Sequence, residues 1–251
     1  MLQIVDLQVK LGDKTILKHI DLEIKPGETH ILFGPNGSGK TTLLMTIMGY
    51  PQYSVVSGKI FFYGEDITDL PVNERSMRGI GMSYQRPPTI HGVKTRQMVE
   101  ICSRKEVDIE TLASQVNFSD FLERDINDGF SGGEIKRSEL LQLMAQDADL
   151  ILFDEPESGV DLENISLIGK TINRLLKRDF QVHPNKSQQE LRDERTKMGL
   201  IITHTGFILD YMTADKGQVL YDGVLTCMSN PIEIFRCISK VGYEECLRCA
   251  T

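Results

Sequence analysis

The chain has 251 residues, of which 40% are hydrophobic and 25% are charged, which suits one large α/β domain or a domain with a small inserted lobe. A net charge of -8 gives no overall attraction for nucleic acid, which is therefore not expected as a main partner. No apolar run approaches the roughly 20 residues that a membrane helix needs, and residues 1–10 alternate in polarity like a strand instead of forming a signal peptide. We expect a cytoplasmic protein without direct membrane insertion.

The first third of the chain predicts several strands around one glycine-rich loop. Apolar and polar residues alternate in the first two predicted strands, which are joined by a turn at Gly12-Asp13. The periodicity and the turn residues predict strands over residues 2–9, 16–24, 28–33, 55–63 and 80–84, and a helix that ends near Gly49. The strand at residues 28–33 leads directly into the loop.

This loop, residues 34–41, reads Gly-Pro-Asn-Gly-Ser-Gly-Lys-Thr and lies between a predicted strand and a predicted helix. A strand that turns through glycines into a helix directs several backbone N–H groups at one point, where the helix dipole also favours an anion. Lys40 would add a positive charge at the β- and γ-phosphates, and the Thr41 hydroxyl is placed to bind Mg²⁺. The alternative is a glycine-rich turn that binds nothing, and the strand-loop-helix context argues against it. The predicted nucleotide contacts are Gly34, Pro35, Asn36, Gly37, Ser38, Gly39, Lys40, Thr41 and Thr42.

The rest of the chain predicts a small helical lobe within an α/β fold. Residues 86–128 have a mixed helical pattern without glycine-rich strand signals. A glycine-rich corner at residues 129–134 begins the next helix. Beyond it, the pattern predicts strands over residues 150–153, 200–203, 219–221 and 224–226, helices over residues 165–176 and 231–247, and a solvated charged extension over residues 177–197.

The predicted strand at residues 150–153 ends in the acidic pair Asp154-Glu155. Asp154 would bind Mg²⁺ opposite Thr41, because a hard cation that bridges phosphates takes oxygen ligands. Glu155 would lie nearer the γ-phosphate and polarise the attacking water. Acidic pairs at strand ends are also common as solvated turns, but the phosphate loop upstream favours the metal-binding interpretation.

The order of these motifs resembles that of the ATP-binding cassette (ABC) ATPases. Besides the phosphate loop and the acidic pair, the resemblance rests on a signature motif at residues 130–134, a Q-loop at Gln85, a D-loop at residues 157–161 and a switch histidine at His204. It implies ATP and Mg²⁺ as cofactors and an α/β fold of the P-loop NTPase class, with a RecA-like parallel sheet core, an antiparallel β subdomain and a small helical lobe. A single ABC ATPase domain would span residues 1–251, with residues 1–85 and 150–251 in the core and residues 86–149 in the lobe.

The resemblance also assigns roles within one site. Lys40, Glu155 and His204 would be catalytic, and Gln85 would join Thr41 and Asp154 at the metal. A lone histidine is more often a polar strand end, and Gln85 has the alternative of a surface amide. The family order favours the functional interpretation of both residues.

A second subunit is implied for the remaining motifs. In this family two domains face head to tail, so Ser131, Gly132, Gly133 and Asp161 would contact ATP held by the partner in an ATP-dependent homodimer. Asp161 is also suited to cap the following helix, and both roles are compatible. Three positions depart from the usual family pattern: Leu11 stands where many members place an aromatic residue for adenine, and Phe130 and Glu134 replace the usual Leu and Gln of the signature.

Four local strings resemble the SufC ATPases of the SUF iron–sulfur cluster assembly system. They are MSYQRPPTIHGV at residues 82–93, GFSGGEIKRSE at 129–139, DEPESGVD at 154–161 and THTGFILDY at 203–211. The resemblance implies soluble scaffold partners of the SufB or SufD kind, contacted by residues 85–94. The first alternative is the ATPase subunit of an ABC membrane transporter. The second is a chromosome-maintenance or DNA-repair ATPase, which would carry a long coiled-coil insertion that this sequence does not resemble.

Five cysteines in a chain without a secretory signal are expected to stay reduced. Four of them, Cys227, Cys237, Cys246 and Cys249, lie near the end of the sequence. The two-residue spacing of the last pair is compatible with a metal site, but a half-buried helix face produces the same spacing and is favoured.

Overall fold

Strands and helices alternate along the chain in the computed structural model, which describes residues 1–178 and 194–248. Its strands are β1 Leu2–Leu11, β2 Lys14–Ile24, β3 Thr29–Phe33, β4 Tyr53–Phe62, β5 Glu65–Asp66, β6 Ile80–Ser83, β7 Ile90–Lys94, β8 Asp125–Ile126, β9 Leu150–Asp154, β10 Met198–Ile202, β11 Lys216–Tyr221 and β12 Val224–Ser229. Its helices are α1 Lys40–Met48, α2 Val72–Met77, α3 Thr95–Cys102, α4 Ile109–Gln115, α5 Gly132–Gln146, α6 Leu162–Leu175 and α7 Pro231–Arg248. None of the helices in the described ranges combines the length and the hydropathy needed to cross a bilayer.

Ten strands form one mixed sheet in the order β5-β4-β1-β2-β12-β11-β3-β10-β9-β6. β11, β3, β10, β9 and β6 run parallel to their neighbours in the core. β1 pairs antiparallel with β2 and with β4. One parallel pairing, Val224 with His19, joins the two parts. The parallel core and the antiparallel subdomain that the sequence predicts are therefore both present.

The core strands β3, β9 and β10 are buried along their whole length. Leu32 of β3 packs with the apolar side of α1, whereas its neighbours Ile31 and Phe33 pack on the opposite face, with α5 and α6. Parallel strands covered on both faces read as continuous apolar runs, which is why these segments lack a polar alternation. Because these buried strands are parallel, their carboxyl ends lie together at one edge of the sheet.

The helical lobe has its own apolar cluster, separate from the two that cover the sheet. Phe118 is fully buried in it, with Val99 of α3 and Leu141 of α5 among its neighbours. The lobe is not purely helical, however, because β7 and β8 form an antiparallel ribbon beside α3. The sequence shows no strand signal here, since β8 is only two residues long.

The sequence predicts solvated surface for residues 177–197, of which residues 179–193 lie outside the described residues. Lys177, Glu194 and Thr196 are exposed as predicted, but the prediction is wrong for the buried residues Arg178, Arg195 and Lys197. Arg178 is buried, and its terminal nitrogens donate to the Asp215 carboxylate at 2.7 and 2.9 Å. Lys197 is also buried, with its Nζ 2.8 Å from Asp147 Oδ1. The many charged residues of this segment suggested exposure to solvent, but Arg178 and Lys197 pair with acidic residues that are distant in the sequence.

The end of the chain is helical as predicted, but α7 is broken at Gly242, where φ is 83°. Cys237 and Cys246 lie on either side of the break and form a disulfide with Cα atoms 5.6 Å apart. Nine residues of unbroken helix would separate them by about 13 Å along the axis, so the break brings them together. The expectation of reduced cysteines is therefore wrong for this pair. Cys249 lies outside the described residues, within which no metal-binding group of His, Cys, Asp and Glu is found.

Arg75 of α2 closes the carboxyl end of α1. Its side chain is 2% exposed, and its guanidinium donates to the backbone oxygens of Thr46 at 2.8 Å, Ile47 at 3.0 Å, Thr68 at 2.6 Å and Leu70 at 2.7 Å. The last carbonyls of a helix have no partner within the helix, so a buried helix end needs such donors. Arg75 therefore joins α1, which carries the end of the phosphate loop, to the segment before β6.

We expect Arg75→Met to lower the free energy of unfolding by about 2–4 kcal/mol, because it leaves buried carbonyl groups without a donor. Urea denaturation of the purified chain measures this difference. Arg78→Met is the matched control, since Arg78 binds Glu65 and Glu74 at the surface and its loss should leave the unfolding midpoint nearly unchanged. Equal losses for the two variants would show that the hydrogen bonds of Arg75 contribute no more to stability than the surface ion pairs of Arg78.

Candidate nucleotide-binding site

The loop at residues 34–41 follows β3 and leads into α1, as the sequence predicts. Gly39 precedes α1 with a left-handed φ of 105°, and a Cβ at this position would lie 2.8 Å from Leu17 Cδ2. A Cβ at Gly34 would collide with the carbonyl oxygen of Leu220, because β11 runs beside β3. The position of Gly39 therefore favours glycine because of its left-handed conformation, and that of Gly34 requires glycine because the backbone of β11 approaches it closely.

Two polar side chains of this loop are buried. The Lys40 ammonium donates to the backbone oxygens of Gly34 at 2.8 Å and Pro35 at 3.0 Å. Burial lowers the pKa of Lys40, and two neighbouring carboxylates oppose this shift. Ser38 Oγ is buried and has no hydrogen-bond partner among the residues that the structure describes. A buried cation and a buried hydroxyl without a partner both fit a loop that holds phosphate.

Thr41 and Asp154 meet, although they are far apart in the sequence. The Thr41 hydroxyl donates to Asp154 Oδ2 at 3.0 Å. Asp154 is 2% exposed, and burial raises the pKa of its carboxyl group, while the hydrogen bond from Thr41 opposes the shift. A divalent cation beside this carboxylate would offset the cost of desolvating its charge. The oxygen donors at this place therefore fit Mg²⁺.

Glu155 lies close to two other predicted site residues, Gln85 and His204. Gln85 Nε2 donates to Glu155 Oε2 at 2.6 Å, and His204 Nδ1 lies 3.3 Å from Glu155 Oε1. Glu155 itself has a φ of 49°, which is uncommon for a residue with a side chain. Such backbone conformations persist where the surroundings fix them, and they cluster at active sites. The ends of β6, β9 and β10 thus deliver one polar side chain each to one point.

A pocket of about 710 Å³ collects most of the predicted nucleotide site. It is lined by Lys14, Ile16, Asn36, Gly37, Gly39, Lys40, Thr41, Thr42, Gln85, Glu155, Ser158 and His204. Lys14, Ile16 and Ser158 are new, whereas Leu11, at the family position for an adenine contact, is absent from this lining. Ile16 supplies an apolar surface, and its Cγ2 would lie 3.2 Å from a Cβ at Gly39. Only the packing of β2 against the loop reveals it, because no local sequence motif marks this residue.

The signature residues do not line this pocket, and instead they begin α5. Ser131 Oγ accepts a hydrogen bond from the Glu134 backbone at 3.4 Å, and Glu134 Oε2 accepts one from the Ser131 backbone at 2.7 Å. Glutamine, which the family usually has at this position, would form the same reciprocal cap, so Glu134 keeps the capping role of that position. The hydrogen bond from the Ser131 backbone also lowers the pKa of Glu134.

The D-loop packs against this corner within the same chain. A Cβ at Gly132 would collide with the carbonyl oxygen of Gly159, and a Cβ at Gly133 would lie 2.9 Å from Asn164 Cγ. Asp161 caps α6, because its Oδ1 accepts from the Asn164 backbone at 2.9 Å. The capping role predicted for Asp161 is confirmed, and this residue does not line the pocket either. The signature corner and the D-loop therefore form one packed unit.

Glu157 of the D-loop is a buried carboxylate that sequence reasoning did not single out as an individual residue. Its Oε1 accepts from the hydroxyls of Thr203 and, at 3.0 Å, of Thr205. Burial raises the pKa of Glu157, and its Oε2 has no partner within the described part of the chain. Since these threonines flank His204, Glu157 ties the D-loop to both sides of the switch histidine. Nothing local in the sequence marks it beyond its place in the D-loop.

A phosphate loop and a strand-end carboxylate that meet at one edge of a parallel sheet define a P-loop nucleoside triphosphatase. Residues 17–158 match the ABC transporter family. The chain belongs to this family of ATP-binding cassette proteins, and its activity is ATP hydrolysis.

Curated relatives cover nearly the whole chain. The probable ATP-dependent transporter SufC of Escherichia coli is 33% identical in an alignment of 260 positions that covers 97% of both chains. Vegetative protein 296 of Bacillus subtilis is 35% identical in an alignment of 257 positions that covers 97% of this chain and 92% of the relative. The probable ATP-dependent transporter ycf16 of Pyropia yezoensis is 33% identical over 97% of this chain and 96% of its own. The resemblance to SufC-type ATPases is thereby confirmed.

Solved structures agree with the fold. A nucleotide-free ATP-binding cassette from an ABC transporter has a TM-score of 0.76 at 21% identity and covers 98% of both chains. The ADP conformation of an ATP-binding cassette has a TM-score of 0.74 at 22% identity, over 98% of this chain and 97% of that one. The predicted P-loop NTPase fold class is confirmed.

We expect His204→Ala to lower kcat for ATP roughly 100-fold, because it removes the imidazole beside the Glu155 carboxylate but no phosphate-loop contact. The KM for ATP should stay within about twofold. Steady-state ATP hydrolysis measures both constants, and His19→Ala, at an exposed histidine of β2, is the control. A loss of nucleotide affinity as large as the loss of turnover would contradict the role given to His204.

Proposed function

We propose that this chain is the ATPase subunit of a SUF-type iron–sulfur cluster assembly system, in which ATP-driven dimerisation remodels a scaffold of the SufB or SufD kind. The observation that carries the proposal is the 33% identity to SufC over 97% of both chains. The four SufC-like strings support it, and each contains predicted site residues, among them Gln85, Ser131, Glu155 and His204. The cluster is built on the scaffold and is not a cofactor of this chain.

The phosphates of ATP would be held by the loop at residues 34–41. Lys40 balances charge on the β- and γ-phosphates, at the place where its ammonium now binds backbone oxygens. Thr41, Asp154 and Gln85 hold Mg²⁺, which neutralises phosphate charge when bound. The short distance between the Thr41 hydroxyl and the buried Asp154 carboxylate supports this assignment.

Hydrolysis would proceed by attack of water on the γ-phosphorus. The water oxygen forms a bond to phosphorus, the bond from phosphorus to the β–γ bridging oxygen breaks, and a water proton passes to Glu155. The products are ADP and inorganic phosphate. Gln85 and His204 hold the carboxylate of Glu155 on two sides, which orients it for this role. His204 also contacts the γ-phosphate.

The remaining nucleotide contacts would come from a second copy of the chain. Ser131, Gly132, Gly133 and Asp161 form a packed unit that does not line the pocket of their own subunit. Two exposed apolar side chains, Leu162 after the D-loop and Phe207 after His204, are 69% and 52% exposed and suit a surface that a partner covers. ATP bound between the two copies would then hold the homodimer closed.

Glu155→Gln is expected to trap ATP and to convert the chain to a stable dimer, because closure survives while proton acceptance is lost. Turnover should fall by roughly 100-fold or more. Light scattering with ATP and Mg²⁺ measures the oligomeric state, and ADP in place of ATP is the control. A monomer at high protein concentration with ATP bound would contradict the proposed homodimer.

An apolar cleft beside the Q-loop suits the scaffold. It has a volume of about 810 Å³ and lies between α2, β6, α3, β7 and α5. Pro87, Pro88 and Ile90, from the predicted contact surface at residues 85–94, contribute to its lining. Met77 and Ile101 also line it and are 77% and 73% exposed. Large apolar side chains exposed around an apolar cleft are typical of a protein-binding site.

The alternative is the ATPase subunit of a membrane transporter, since several relatives carry the name of a probable ATP-dependent transporter. The same cleft would then bind a segment of a membrane subunit. The two functions differ in the partner that the cleft binds, so a binding experiment separates them.

We expect the chain to form a complex with purified SufB- and SufD-type scaffold proteins, and Met77→Asp with Ile101→Asp to weaken it at least about 10-fold, because charges enter an apolar contact. Titration calorimetry measures the affinity, and ATP hydrolysis by the variant alone should stay unchanged. Val56→Asp is the control, since this exposed side chain of β4 is outside the cleft lining. Absence of scaffold binding together with co-purification of a membrane protein would favour the transporter subunit.

A further inference from the structure

Glu139 is a buried carboxylate in α5, about two turns after the signature glycines that begin the helix. It is 6% exposed, and both of its oxygens are hydrogen-bonded. Oε1 accepts from the Tyr84 backbone N–H at 2.8 Å, and Oε2 accepts from the Ser83 hydroxyl at 3.0 Å and from Lys136 Nζ at 3.0 Å. The helix of the signature motif is thus bound directly to the end of β6.

Lys136 completes this contact at the carbonyl group of Tyr84. Its ammonium is 3% exposed and donates to the Tyr84 carbonyl oxygen as well as to Glu139. Both backbone polar groups of Tyr84 are therefore held by one buried ion pair of α5. The Tyr84 side chain is anchored too, since its hydroxyl lies 2.6 Å from the Tyr50 hydroxyl.

The residue that follows Tyr84 is Gln85, whose amide donates to Glu155 at 2.6 Å. The direction in which the backbone leaves Tyr84 sets the position of that amide. From this geometry we infer that Glu139 is a positioning residue for ATP hydrolysis: together with Lys136 it fixes the backbone of Tyr84, and thereby places Gln85 against the Glu155 carboxylate.

Packing alone does not explain a buried ion pair at this place. Burial disfavours the charged form of Glu139 and raises its pKa, with Lys136 acting in the opposite direction. Apolar residues of similar volume often replace such a pair without loss of stability. They cannot, however, bind the N–H and the carbonyl group of one peptide segment in fixed directions. Directional control of Tyr84 is what the charged pair adds.

The link also reaches the surface. Tyr84 and Glu139 both contribute to the lining of the apolar cleft beside the Q-loop. A molecule in that cleft therefore contacts the same residues that place Gln85. The inference itself concerns the ATPase activity of the chain and does not depend on which partner occupies the cleft.

The test uses the purified full chain and compares Glu139→Gln with the double variant Glu139→Leu/Lys136→Met. We expect kcat for ATP to fall roughly 10- to 100-fold in both, because the reacting groups are misplaced, while the KM for MgATP stays within about twofold. The double variant should unfold at a urea concentration no lower than that of Glu139→Gln, since it buries no unpaired charge, although the Tyr84 backbone groups lose their partners in it. Glu100→Gln, an exposed glutamate of α3 in the same lobe, is the control.

Two outcomes would overturn the inference. If the double variant recovers turnover together with stability, Glu139 serves the fold alone. In a Gln85→Ala background, Glu139→Gln should cause little further loss of kcat, because the two residues act in series. A second loss as large as the first would mean that Glu139 does not act through Gln85. Should the single variant fail to fold, the double variant still decides between the two roles.

Discussion

The parallel alignment of β3, β10 and β9 is the constraint on which the site depends. Ile202 of β10 is level with Leu32 of β3 on one side and with Asp154 of β9 on the other. Because these buried strands are aligned, the loop after β3 and the acid at the end of β9 emerge at one edge of the sheet. Thr41 Oγ1 consequently lies 3.0 Å from Asp154 Oδ2. Apolar burial of the three strands, and not attraction between the polar residues, brings the two side chains within hydrogen-bonding distance.

The same alignment places opposite charges where water is largely excluded. Burial lowers the pKa of Lys40 and raises the pKa of Asp154, so the interior disfavours the charged form of each. A ligand that brings phosphate to the lysine and a cation to the aspartate restores the balance at both. Binding of such a ligand therefore stabilises the folded chain as well as filling the site. Two groups proposed to bind the nucleotide and its cation are therefore costly to bury in the free protein.

Local motifs were enough to predict the phosphate loop and the acidic pair, because each rests on residues adjacent in the chain, and the order of the motifs predicted the class of fold through the family resemblance. Features that depend on tertiary contact were not predictable in this way. Ile16 reaches the pocket only because β2 packs on Gly39, and Glu139 finds Tyr84 only because α5 lies on β6. The Cys237 disulfide depends on a break in α7 that periodicity does not show. Sequence motifs therefore predicted which polar residues lie together better than they predicted the contacts that hold those residues in place.

Two buried glutamates connect the chemistry to surfaces that other molecules contact. Glu139 holds the segment before Gln85 on one side of Glu155, and Glu157 holds both flanks of His204 on the other. The first glutamate belongs to the helix of the signature motif and lines the cleft, and the second belongs to the D-loop. A partner alters hydrolysis only if it binds one arrangement of these contacts better than another. Because both connections end at Glu155, the proposed partners at the cleft and at the subunit interface would act on the same carboxylate, and turnover would require both to favour one common geometry.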